Sequence, residues 1–147
     1  MENPEILIYT DGSSRGNPGP GGYGIIIQQF SDKRSKEFSK GFRKTTNNRM
    51  ELIASIEALK YIKIKSKINL FTDSKYIIDG IKVWIKNWKL NNWKTKTNKD
   101  VKNLDLWKEL DDLHSFHSVQ WTWVKGHSGD KYNDEVDLLA RGEAEKI

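Results

Sequence analysis

Two apolar runs end in the same way. Ile6-Leu7-Ile8-Tyr9-Thr10 leads into Asp11, and Ile68-Asn69-Leu70-Phe71-Thr72 leads into Asp73. Between them, Met50, Ile53, Ala54, Ile56, Ala58 and Leu59 repeat at helical spacing over 48–62. Strand, amphipathic helix, strand is the pattern of a crossover unit. In one sheet such a unit is right-handed and leaves its strands parallel. Parallel neighbours place Asp11 and Asp73 side by side at their C-terminal ends, the edge where ligands bind in open α/β sheets. Glu51, in the first turns of the crossover helix, is expected over the same edge.

The rest of the chain fills in that frame. The spacing predicts strands over 5–11, 23–30, 36–42, 67–73 and 119–124. Gly16-Asn17-Pro18-Gly19-Pro20-Gly21-Gly22 reads as a turn, and the short links join the first three strands as an antiparallel meander. Helices are expected over 48–62 (N-cap Thr46 or Asn47), 74–89 with a break at Gly80, 103–114 and about 130–145. Residues 91–102 read as a polar loop. The order β-β-β-α-β-α-α-β-α predicts an α/β fold: a mixed five-stranded sheet, three strands in a meander plus parallel strands, with helices on both faces. A length of 147 residues suits one domain.

Composition narrows the chemistry. The chain has no Cys, which excludes a disulfide framework and a thiolate metal site. No apolar run spans a bilayer, and the N-terminal Met-Glu-Asn-Pro-Glu lacks the layout of a signal peptide. A cytoplasmic location fits. Asp11, Glu51, Asp73 and Asp137, the last in Asn133-Asp134-Glu135-Val136-Asp137, offer hard oxygen ligands that suit Mg²⁺ or Mn²⁺ rather than zinc. Such clusters are the usual apparatus for cutting phosphodiesters. Taken singly, each has a plainer role. An Asp after a strand often caps a helix, and a Glu in a first turn is favoured by the helix dipole. Asp134 and Glu135 are assigned to capping and solvent.

The net charge of +5 is concentrated. Residues 82–102 carry seven Lys, among them Lys86, Lys89 and Lys94, with one acid, Asp100. Trp84, Trp88 and Trp93 lie in the same stretch. Interleaved cations and rings fit a polyanion-binding surface. A Lys-rich solvated face is the alternative, in a chain with 20 Lys and 5 Arg, but such a face has no use for several large rings.

Taken in order, these motifs resemble a known family. Tyr9-Thr10-Asp11-Gly12-Ser13, the glycine-rich stretch 16–24, Thr46-Asn47-Asn48-Arg49-Met50-Glu51-Leu52, Thr72-Asp73-Ser74, Trp123-Val124-Lys125-Gly126-His127-Ser128-Gly129 and Asn133 to Asp137 are similar to bacterial ribonuclease HI, the type 1 ribonuclease H family. The likeness is collinear over nearly the whole chain and includes a basic handle at about 82–102.

The resemblance implies an endonuclease that hydrolyses the RNA strand of an RNA–DNA hybrid and acts as a monomer. It implies catalytic roles for Asp11, Glu51, Asp73, Asp137 and His127. The four carboxylates would hold two Mg²⁺ ions, with Mn²⁺ as a substitute, and the products would carry 5′-phosphate and 3′-hydroxyl ends. His127 would assist proton transfer or product departure. Asn17, Asn47 and Glu51 would face the RNA strand, and Thr46, Arg49 and Asn87 a DNA phosphate. Trp84 and Trp88 would pack on deoxyribose, with Lys86 and Lys89 beside them. Lys75 stands where the family often has Gln, so a base-edge hydrogen bond would give way to a phosphate contact. Leu90-Asn91-Asn92 makes the handle less basic. A hybrid-binding module without catalysis, or an integrase or junction resolvase of the same fold, are the rival readings; the latter lack the Thr46–Leu52 run and the handle.

Overall fold

The computed structural model describes residues 5–29, 32–126 and 130–147. Five strands form one mixed sheet: β1 (Glu5–Ser14), β2 (Gly19–Gln29), β3 (Asp32–Thr45), β4 (Lys67–Thr72) and β5 (Ser118–Trp123), in the order β3-β2-β1-β4-β5. β1 pairs antiparallel with β2 and parallel with β4, and β5 runs parallel to β4 at the sheet edge. The crossover from β1 to β4 passes through α1 (Asn47–Tyr61). Thr46 caps that helix, its Oγ1 accepting the Arg49 N–H at 3.2 Å, as the sequence predicts.

Alternation along the strands builds two cores. Ile8, Ile25, Ile27, Ile68 and Leu70 face Leu52, Ile56 and Leu59 of α1. Tyr9 and Ile26 point the other way and meet Val136 of α5 (Lys131–Glu145). That helix lies so close to β2 that a Cβ at Gly24 would fall 2.6 Å from the Val136 carbonyl. The approach brings Asp137, the next residue, over the centre of the sheet.

The first three strands are longer than the sequence pattern predicts. β1 continues through Asp11 to Ser14, and β2 begins at Gly19, inside the expected turn. The turn shrinks to 15–18 and contains a cis Asn17–Pro18 bond. Glycine and proline there are compatible with an extended ladder because they sit in a hairpin of two paired strands. Asp11 therefore lies within a strand, opposite Gly24, and not at its end. The parallel ladder to β4 nevertheless stops at Tyr9–Phe71, so Asp11 projects past it as expected.

The expected break at Gly80 is instead a continuous turn of wider helix. α2 (Lys75–Asp79) runs through a π-helical segment (Gly80–Trp84) into α3 (Ile85–Leu90). Gly80 is buried beneath the ring of Trp107, on α4 (Leu104–Phe116). Residues 91–102 are irregular, as read from sequence, and joined by a lone bridge between Lys94 and Asp100. Among the described residues no helix is long and apolar enough to cross a membrane.

Candidate active site

Asp11, Glu51 and Asp73 converge. Each offers a carboxylate oxygen, and these atoms lie within 4.8 Å of one another. β1 supplies Asp11, the first full turn of α1 supplies Glu51, and Asp73 follows directly on β4. Gly12 permits the closeness: a Cβ there would stand 2.5 Å from the Glu51 backbone nitrogen. Asp137 completes the wall. It lines the same cleft, of about 430 Å³, with Ser13, Asn47, Asn48, Ser74, Lys75 and Tyr76. Its Oδ2 accepts from Arg141 at 2.9 Å, one helical turn on.

Electrostatics make this cluster costly without a cation. Burial, the Asp73 charge and a hydrogen bond with Asp137 push the Asp11 carboxyl up to about 9. Glu51 is raised well above its ordinary range by burial and then by the charges of Asp11 and Asp73, although the Gly12 N–H opposes this. Like charges held close and away from water cannot all ionise unless a positive partner arrives. Glu51 Oε1 is also buried with no hydrogen-bond partner among the described residues. An orphaned oxygen within a cluster of three carboxylates is a donor set that fits a hard divalent cation.

The remaining site residues fall around this centre. Asn17 Oδ1 accepts from the Asn47 N–H and from Ser14 Oγ, both at 2.9 Å, which ties the β1–β2 turn to the start of α1. Thr46 is taken up by its cap, and Arg49 donates to Asp105 and Asn103. His127 lies outside the described residues; Gly126 before it passes so near Asp73 that a Cβ would stand 3.0 Å from Oδ2.

The handle residues form a second region. Trp84, Asn87 and Trp88 line a groove of about 880 Å³ with Asn91, Lys94, Thr95 and Lys96. Trp84 and Trp88 are half-buried and share an aromatic cluster with Tyr76 and Trp107, with Trp88 centred 5.5 Å from Trp107. Both rings thus anchor the handle and still line the groove. Lys89 pairs with Asp111 at 3.1 Å, and Lys94 pairs with Asp100. Lys86 is exposed and makes no ion pair among the described residues.

Two residues of the rim are not expected from sequence. Trp123 falls in the strand expected over 119–124 with no site role assigned, and it is 42% exposed. It stands at the last position of β5, with Lys75 of α2 over its ring. Tyr76 reads as one more helix residue but lines the cleft. Asp130, not Asp134, caps α5, accepting the Asn133 N–H at 2.9 Å. Asp134 Oδ1 is buried without a hydrogen-bond partner among the described residues.

Comparisons with known proteins show the family. The RNase H family model matches residues 3–145. The chain is 51% identical to a ribonuclease H of Ehrlichia canis, covering 97% of this chain and 96% of that one. It is 55% identical to a ribonuclease H of Pseudoalteromonas atlantica, covering 95% and 90%. Among solved structures, LC9-RNase H1, a type 1 RNase H with the type 2 active-site motif, superposes with a TM-score of 0.87 at 31% identity, covering 99% of this chain and 74% of that one. Sequence and sheet order match over nearly the full length, and the chain belongs to the RNase H family.

Proposed function

We propose that the chain is a metal-dependent endonuclease that hydrolyses the RNA strand of RNA–DNA hybrids. The observation that carries this reading is the buried triad of Asp11, Glu51 and Asp73, with an orphaned Glu51 oxygen, in a chain of the RNase H family. Residues 1–147 would form one ribonuclease H domain, a monomer working in the cytoplasm.

Asp11, Glu51, Asp73 and Asp137 would hold two Mg²⁺ ions, with Mn²⁺ as a substitute. When bound, the ions neutralise the scissile phosphate, make water nucleophilic and leave 5′-phosphate and 3′-hydroxyl ends. The chain's own residues do the rest. Asp11, central on β1 and flanked by the other carboxylates, is best placed to serve both ions. The Asn17–Asn47 bond fixes the wall along which the RNA strand lies, so that 2′-hydroxyls face polar groups. Thr46, Arg49 and Asn87 take a DNA phosphate, while Trp84, Trp88, Lys86 and Lys89 hold the DNA strand along the handle groove. Lys75 contacts a phosphate at the cleft rim. His127 moves a proton or speeds departure of product.

One assay tests the reading. Labelled RNA–DNA hybrid is incubated with the protein in Mg²⁺, in Mn²⁺ and in EDTA, beside a DNA duplex and a four-way junction. Cleavage of the hybrid's RNA strand alone, abolished by EDTA, is expected. Binding of hybrid without cleavage would overturn the catalytic assignment, and cleavage of the junction would redirect it.

A further inference from the structure

Lys75 begins α2 two residues after Asp73 and lines the carboxylate cleft. A flexible cation in that position would be expected to fall onto one of the acids. It does not. Among the described residues Lys75 makes no ion pair, and its ammonium lies over the ring of Trp123, 4.9 Å from the centroid. Indole is the strongest aromatic partner for a cation. The ring is itself fixed. Its Nε1–H donates to the Asp73 carbonyl at 3.1 Å, and the neighbouring backbone is held by the Val124 N–H to the Thr72 carbonyl at 2.9 Å. Trp123 thus joins the backbone of a cleft carboxylate to Lys75, a cation lining that cleft, and Lys75 is itself exposed to solvent.

We propose that Trp123 is a positioning residue. It holds the Lys75 ammonium at the cleft rim, off the carboxylates, where it takes a phosphate oxygen of the strand to be cut. This deepens the reading of the site as a hybrid-cleaving centre and rests on it. Lysine binds phosphate as a point charge on a long stem, so its contribution depends on where the stem is held.

Salt dependence tests the pair, because the two substitutions differ in charge. Lys75→Met removes a phosphate contact and should lower the log–log salt slope of hybrid affinity by about 0.9, roughly a 3.5-fold smaller loss of affinity between 50 and 200 mM. Trp123→Leu removes no charge. If the indole positions the ammonium, this variant should lower the slope by a similar amount, and Lys75→Met/Trp123→Leu should show no further fall. Affinity is read by anisotropy in an Asp11→Asn background with Mg²⁺, and KM and kcat are read in the parent chain. Trp123→Thr serves as a second variant, since β-branched residues suit an edge strand, with circular dichroism confirming the fold of each. A wild-type slope in folded Trp123→Leu and Trp123→Thr overturns the proposal while leaving the function standing. A parent chain that cleaves no hybrid overturns the functional reading and the proposal together.

Discussion

The Asp105 carboxylate takes the Arg49 guanidinium with both oxygens, Nη1 at 3.3 Å and Nη2 at 3.1 Å. Asn103 adds a third contact to Nη1 at 3.2 Å and passes the link to the Tyr76 hydroxyl, which also accepts from the Trp107 indole. The start of α1 is thereby tied to the aromatic cluster of Tyr76 and Trp107. The same guanidinium is the group proposed to meet a DNA phosphate, so Asp105 competes with substrate for it.

Asp105→Asn should therefore tighten hybrid binding and steepen its salt dependence by up to about 0.9, one phosphate contact. Stability should fall by less than about 1 kcal/mol, because Asp105 is largely exposed and such pairs contribute little. Anisotropy over a salt series and a thermal melt check both. Weaker binding would show that Asp105 orients Arg49 for the phosphate rather than competing with it.

Asp11→Asn should lower Mg²⁺-dependent cleavage by on the order of 10³-fold or more, since several kcal/mol of charge stabilisation depends on the ligand set. It should also stabilise the metal-free fold. Asp11 titrates near 9 when folded, far above an ordinary aspartate. The folded state thus holds its proton more tightly than the unfolded chain does. Stability from this group is full below about pH 4 and is lost as pH rises through about 9. In EDTA the Asp11→Asn melting temperature should exceed the parent's by several degrees near neutral pH, at about 2–4 °C for each kcal/mol in a chain of this size. The gap should close toward pH 4 and shrink when Mg²⁺ is added to the parent. An equal melting temperature at all pH values would mean the carboxylate is not held against its charge. Asp134→Asn, outside the proposed ligand set, should keep most activity.

His127→Ala should reduce kcat by about 10²-fold, the usual weight of a general acid or base, with hybrid and Mg²⁺ affinities nearly unchanged. Kinetics at saturating substrate, with a Mg²⁺ titration, separate the two. A rise in the Mg²⁺ requirement as large as the fall in kcat would make His127 a ligand.

The convergence of Asp11, Glu51 and Asp73 is legible in sequence because it follows from an expected crossover topology. Two apolar runs with an amphipathic helix ahead of the second are expected as parallel neighbours by a right-handed crossover, and each run leads into its Asp. Helix termini are also legible where a side chain makes them, as Thr46 does. What escapes the sequence is set by contacts between distant elements. Gly80 looks like a helix breaker until Trp107 is found packed on it, and nothing local to Trp123 shows that its ring lies under the Lys75 ammonium. Strand length escapes for a similar reason. A glycine-rich run reads as turn, yet cross-strand pairing carries β1 to Ser14 and starts β2 at Gly19. The Arg49–Asp105 pair, 56 residues apart, leaves no local trace.

Charge on the handle is unequal in availability, and this separates its lysines. Lys89 is held by Asp111, a largely buried partner with only 12% of its side chain exposed, and Lys94 by Asp100. Lys86 faces solvent from the same helix as Trp88 and makes no ion pair among the described residues. A cation already neutralised by protein releases fewer counterions when it meets a phosphate, so it adds less to the salt slope. Replacing Lys86, Lys89 and Lys94 together by Ala should raise KM for the hybrid and flatten its salt dependence, with little change in kcat because no charge near the carboxylates is altered. Singly, Lys86→Ala should account for the largest part, a fall of about 0.9 in slope, and Lys89→Ala for less. Lys89→Ala should instead lower the melting temperature, since it leaves the Asp111 carboxylate poorly solvated and unpaired. KM measured over a salt series for each variant decides. An unchanged slope in the triple variant would return residues 82–102 to a solvated face and leave Trp84 and Trp88 as anchors only.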